Sequence, residues 1–173
     1  IKQSGSSISI GESGDTINLA GSAYAEAGTN TPAFKVKLSG DQSISNGTNT
    51  KITWDSEIYD TDNAFASNKF TVPSGQGGKY HFSGIVIMRN VDDNESVSIR
   101  IHVNGSDEVS GLNVYRMTQY GTGSDKFITV PISIDINLSA SDYVEVFIYH
   151  TEGGSQNVDA GYSSFCGFKL VGA

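Results

Sequence analysis

Residues 127–138, Phe-Ile-Thr-Val-Pro-Ile-Ser-Ile-Asp-Ile-Asn-Leu, put an aliphatic side chain at every second position from Ile128 to Leu138. A period of two belongs to strands, whose successive side chains leave on opposite faces. One face of this segment is therefore Ile128, Val130, Ile132, Ile134, Ile136 and Leu138, and it needs a second layer to cover it. Pro131 falls on the other face and has no N–H to give a neighbour, which predicts a sheet edge or a bulge there.

The same alternation recurs along the chain. Phe34, Val36 and Leu38 alternate with Lys35 and Lys37, and Ile52 and Trp54 share a face. In residues 96–103, Val97, Ile99, Ile101 and Val103 point one way, and Arg100 and His102 the other. That run ends in Asn104-Gly105, a dipeptide suited to the positive φ angles of a tight hairpin. No stretch keeps a helical period, and 20 glycines supply turns between strands. The expectation is an all-β sandwich of roughly eight to ten strands.

Charge narrows the function. The 173 residues carry a net charge of −8, with 11 basic residues scattered singly, so the chain has no grip on a phosphate backbone or an anionic bilayer. No apolar run reaches the roughly 18–20 residues of a membrane span. The chain starts at Ile1 with no signal peptide, and an N-terminal part is expected to have been removed. A single cysteine, Cys166, forbids an intrachain disulfide and reads as a small apolar residue of the last strand.

Residues 1–31 differ from the rest. Ser-Ser-Ile-Ser-Ile-Gly and Asp-Thr-Ile-Asn-Leu-Ala-Gly alternate over a few residues each (Ile8, Ile10; Ile17, Leu19), too little to bury a core. They are expected to form a Gly/Ser/Thr-rich β stalk or linker, with residues 32–173 as the head domain.

The stretch Phe70-Thr-Val-Pro, a glycine-rich corner, then Tyr80-His-Phe82-Ser, together with the terminal Ser163-x-Phe165-x-Gly167-Phe168, resembles the globular head of complement component one-q and its tumour-necrosis-factor-like relatives. The similarity covers about residues 32–172. It implies a ten-stranded jelly roll assembled as a parallel homotrimer, with both termini at the stalk end. Phe34, Phe70, Tyr80, Phe82, Phe165, Gly167 and Phe168 carry over as core or trimer residues. Tyr80, Phe147 and Tyr149 are the rings expected to face the threefold axis. No collagen repeat precedes the head; residues 1–30 instead resemble the Gly/Ser/Thr repeats of tailed-bacteriophage virion proteins.

No catalytic pattern is legible, and no enzyme is expected. His81, His102 and His150 stand one per strand, without a His-x-His pair. Asp60 and Asp62, and Asp92 and Asp93, lie in acidic loops that could offer oxygens to Ca²⁺, but Phe65 and Thr71 fall where a calcium loop needs Gly and Glu. Turn-capping is the competing reading. No other cofactor is expected. Four Asn-x-Ser/Thr sequons would matter only on a secretory route. The loop at 110–126 offers Tyr115, Arg116 and Tyr120 to a ligand.

The expected role is a structural and attachment module on the surface of a bacteriophage virion: a trimeric knob on a fibre tip or other appendage. Its partners would be other virion proteins and a host-surface saccharide or protein. A capsid decoration protein and a secreted one-q-like recognition ligand are the alternatives.

Overall fold

The computed structural model describes strand residues 2–4 and 7–9, and residues 30–106, 114–118 and 126–170. Two short strands, β1 (Lys2–Ser4) and β2 (Ser7–Ser9), pair antiparallel with Gln3 opposite Ile8. The rest of the 1–31 segment lies almost wholly outside the described residues.

The head is a two-sheet antiparallel sandwich. One sheet has seven strands: β3 (Ala33–Lys37), β4 (Gln42–Ile44), β6 (Ser56–Asp60), β9 (Gly78–Arg89), β12 (Phe127–Leu138), β14 (Gln156–Val158) and β15 (Ser164–Lys169). The other has six: β5 (Thr50–Lys51), β7 (Phe65–Ala66), β8 (Lys69–Thr71), β10 (Ser96–Val103), β11 (Val114–Thr118) and β13 (Tyr143–His150). The head thus has more strands than the expected eight to ten. The surplus is made of segments two or three residues long that pair with the edges of longer ones.

Long strands switch sheets as the chain proceeds: β8 to β9, β9 to β10, β11 to β12, β12 to β13. Each therefore turns one face inward, which is why alternation is so regular in the sequence. Ile128, Val130, Ile132, Ile136 and Leu138 are buried, as are Val97, Ile99 and Ile101. β12 pairs along its whole length with β9 and, among the described residues, has no second ladder partner, so Pro131 does sit on an edge strand, opposite Ile85. Asn104 and Gly105 adopt φ of 54° and 79°, and Val103 and Ser106 exchange both backbone hydrogen bonds across them.

The glycine-rich corner between β8 and β9 carries the chain from one sheet to the other. Gly75 takes φ 77°, and the Tyr80 hydroxyl donates to the Gln76 carbonyl at 2.6 Å, tying the corner to the core. Burial, reinforced by the charge of Asp62, pushes the Tyr80 phenol up to about 12.

The aromatics flanking that corner form one cluster. Phe34 stacks on Phe65 and Phe70 at 4.9 and 5.1 Å, Phe70 meets Tyr80 at 5.3 Å and Phe82 at 5.6 Å, and Phe165 closes on Phe34 at 5.3 Å. Gly167 leaves the space the rings occupy, since a Cβ there would sit 2.5 Å from the Phe82 ring and 2.9 Å from that of Phe34. One expectation is corrected here. Tyr80, assigned to the threefold axis, is fully buried inside the single chain, as are Phe34, Phe70 and Phe82. The cluster of rings is the interior of the single chain.

Candidate functional site

Among the described residues, three regions collect chemistry: the outer face of the seven-stranded sheet, the acidic turns, and a pocket beside β6.

On the outer face, the register sets β12, β9 and β15 side by side. Pro131 lies opposite Ile85 and Ile85 opposite Ser164; Ser133, Ser83 and Cys166 form the next row; Asp135, His81 and Phe168 the next. With Thr129 and Ile87, the first two of these rows make a band without a charged side chain, half-buried on β9 and β15 and exposed on β12, bordered by Asp135 and His81 in the third row and by Lys35 and Lys37 on β3. Charge returns only at its borders. His81 Nδ1 contacts Asp135 Oδ1 at 2.7 Å, and its ring meets that of Phe168 at 5.4 Å. At the other end Arg89 pairs with buried Asp159 and lies over the Phe127 ring at 5.4 Å. Phe127 is 48% exposed there.

Phe147 and Tyr149, the other two rings assigned to an axis, stand half-buried on the outer face of the opposite, six-stranded sheet. Phe147 stacks on His102 at 4.0 Å, and Tyr149 lies under Arg100 at 5.6 Å. Phe168 belongs to neither core nor that face but lies beside His81 at the border of the uncharged band. His150 is fully buried, bridging the Ile44 carbonyl through Nε2 and the Glu152 N–H through Nδ1.

The acidic turns use their oxygens on the protein itself. Asp60 accepts the N–H of Phe65 at 2.7 Å and that of Asp62 at 3.4 Å, while Asp62 accepts the Thr61 hydroxyl at 2.7 Å. Asp92 and Asp93 converge on Lys126 Nζ at 3.3 and 3.2 Å. Burial works to lower the Lys126 pKa, but the hydrogen bonds and charges of Asp93 and Asp92 outweigh it and leave it raised. A lysine ammonium stands where a cation was weighed. Among the described residues, no three His, Cys, Asp or Glu side chains gather as a metal site. Tyr115 and Arg116 lie on β11 with side chains outside the described set, and Tyr120 falls outside it altogether.

The pocket was not read from the sequence. It is an open-sided cleft of about 250 Å³ lined by Trp54, Asp55, Glu57, Phe65, Ser67 and Asn68. Ser67 and Asn68 form the β7–β8 turn with φ of 53° and 60°. Lys51 Nζ holds that turn by the Ser67 carbonyl at 3.2 Å while pairing with Glu145 at 2.9 Å. Asp55 accepts the Ser39 hydroxyl at 2.6 Å and its N–H at 2.7 Å, which keeps the Asp55 carboxyl below the usual range. Trp54 stacks on Phe165 and is 3% exposed, yet its indole N–H has no acceptor.

This architecture is the complement one-q/tumour-necrosis-factor-like jelly roll. The globular domain of zebrafish complement 1qA superposes with a TM-score of 0.56 at 17% identity, covering 80% of this chain and 96% of that one. The Eiger TNF of S. frugiperda gives 0.53 at 19%, covering 82% and 93%. In sequence, the chain is similar to the phage-like element PBSX protein XkdV of Bacillus subtilis (strain 168), 26% identical over 133 residues. That match takes in 76% of this chain and 18% of XkdV, so the chain spans about a fifth of its relative's length. No protein-family model matches the chain.

Proposed function

We propose that this chain is the non-catalytic head of a bacteriophage virion appendage, assembled as a homotrimer and used for attachment at the particle surface. The similarity to a phage-like element protein supports the virion context, and the jelly-roll fold supports a terminal knob.

The observation that carries the trimer is the uncharged band on β12, β9 and β15. A chain with net charge −8 has charged groups to spare for a solvated face, yet this face carries Ile85, Ile87, Pro131, Cys166 and Phe168. Half-buried apolar side chains left partly open to solvent in this way suit a contact surface. Three copies meeting there would keep their aromatic clusters intact and present outward-facing loops in triplicate. Weak sites repeated on one particle then bind together far more tightly than one alone.

Two measurements test the reading. Antibody raised against the head should decorate an appendage of the intact particle in electron micrographs. The purified head, added in excess, should slow adsorption of that particle to its host. Unlabelled particles, or adsorption indifferent to the head, would contradict it.

A further inference from the structure

We infer that the pocket between Trp54 and the Ser67-Asn68 turn is a recognition site for one neutral saccharide ring. The inference deepens the attachment reading and takes its biological meaning from it.

The size suits one ring. At about 30 Å³ per water, a cleft of 250 Å³ displaces on the order of eight waters, which matches a single hexose-sized body. The wall chemistry then selects the class. Asp55 and Glu57 are acceptors and repel anions, in a chain that is already strongly acidic. The Asn68 amide and the Ser67 hydroxyl are donors, which an ammonium group could not use. A sugar hydroxyl both donates and accepts, so a polyhydroxylated ring satisfies both sets at once.

Phe65 supplies the aromatic side chain of the lining, and its ring stacks on Phe34 at 4.9 Å. A sugar's C–H face packs against an aromatic surface of this kind. The site is also held rigidly. Asp60 fixes the Phe65 backbone, Ser39 orients Asp55, and Lys51 ties down the turn. A preorganised wall loses little entropy on binding.

Trp54 is the sole tryptophan of the chain and reports on the pocket directly. The intact protein is titrated with a panel of neutral hexoses and N-acetylhexosamines while indole emission is followed. At least one sugar should give a saturable change. Glu57→Ala and Asn68→Gly should each weaken that sugar by about tenfold or more while leaving the thermal transition in place. Asn68→Gly keeps the turn, because glycine accepts the positive φ. A panel without a saturable response overturns the inference, as does binding undiminished in both variants. Tighter binding of a simple alkylammonium ion than of any sugar also overturns it. If a sugar binds as described but does not block particle adsorption, the pocket stands and the attachment reading falls.

Discussion

Asn104 and Asp142 close one end of the sandwich: the Asn104 side-chain amide donates to Asp142 Oδ1 at 2.8 Å. Asn104 Oδ1 accepts the Tyr143 N–H at 3.0 Å, and Asp142 Oδ2 accepts the Ser139 N–H at 2.8 Å. The β10 hairpin turn is thereby clamped to the turn before β13. Asn104→Ala should lose both bonds and also strain a residue at φ 54°. About 1–2 kcal/mol of stability should go with it. Asn104→Gly removes the bonds without the strain and should cost less. Thermal melts of the pair separate the two contributions.

Acid should open the same clamp. Hydrogen bonds from the Asn104 side chain first, and the Ser139 N–H second, hold the Asp142 carboxyl below its ordinary value of 3.8. Asp55 is lowered by Ser39 in the same sense. A carboxyl depressed in the folded state stabilises fully above its unfolded value, and that stabilisation is lost as pH falls through the folded one. Stability should therefore decline below pH 3.8 on account of these groups. Asp142→Asn should lower the melting temperature at neutral pH and make the acid decline shallower. Melting curves from about pH 5 down to about pH 2 read out both effects.

Gly84 and Gly167 are the glycines whose replacement should hurt most. A Cβ there would lie 2.5 Å from the Ser164 carbonyl oxygen, a backbone atom of the paired strand β15. Gly84→Ala must push two strands apart and should cost more than about 2 kcal/mol. Gly167→Ala meets the Phe82 and Phe34 rings and should cost a similar amount. Gly40→Ala, with nothing within 4 Å, should stay within about 0.5 kcal/mol. Chemical denaturation of the three variants checks that order.

Tyr80 should ionise late. Burial holds its phenol neutral until about pH 12. Ultraviolet titration should show one phenol lagging, and Tyr80→Phe should delete that step. The same change strands the Gln76 carbonyl and should cost about 1 kcal/mol, or roughly 2–4 °C in a chain of this length.

These sites differ in how far the sequence foretells them. Long strands are legible because Ile128 to Leu138, and Val97 to Ile101, repeat with period two over many residues. The hairpin at Asn104-Gly105 is legible from local chemistry alone. Strands β4, β5, β7 and β14 are not, since two or three residues cannot establish a period and pair only because a longer strand offers its edge. Alternation also cannot distinguish a subunit's interior from a contact between subunits. Both are apolar, which is how Tyr80 comes to be read as facing an axis when it fills a core. The pocket is illegible for another reason. Trp54 and Glu57 meet Ser67 and Asn68 across a bulged strand pairing at Lys35 and Val36 and a left-handed turn, and no local motif announces that meeting.

The account rests on copies joining through Ile85, Pro131 and their neighbours, and the native mass of the intact chain tests this most directly. The protein should run at three times its 18.4 kDa chain mass, and Ile85→Arg, which leaves the aromatic core untouched, should reduce it to one. A wild-type chain that stays a monomer at high concentration, or a trimer indifferent to Ile85→Arg, would contradict it.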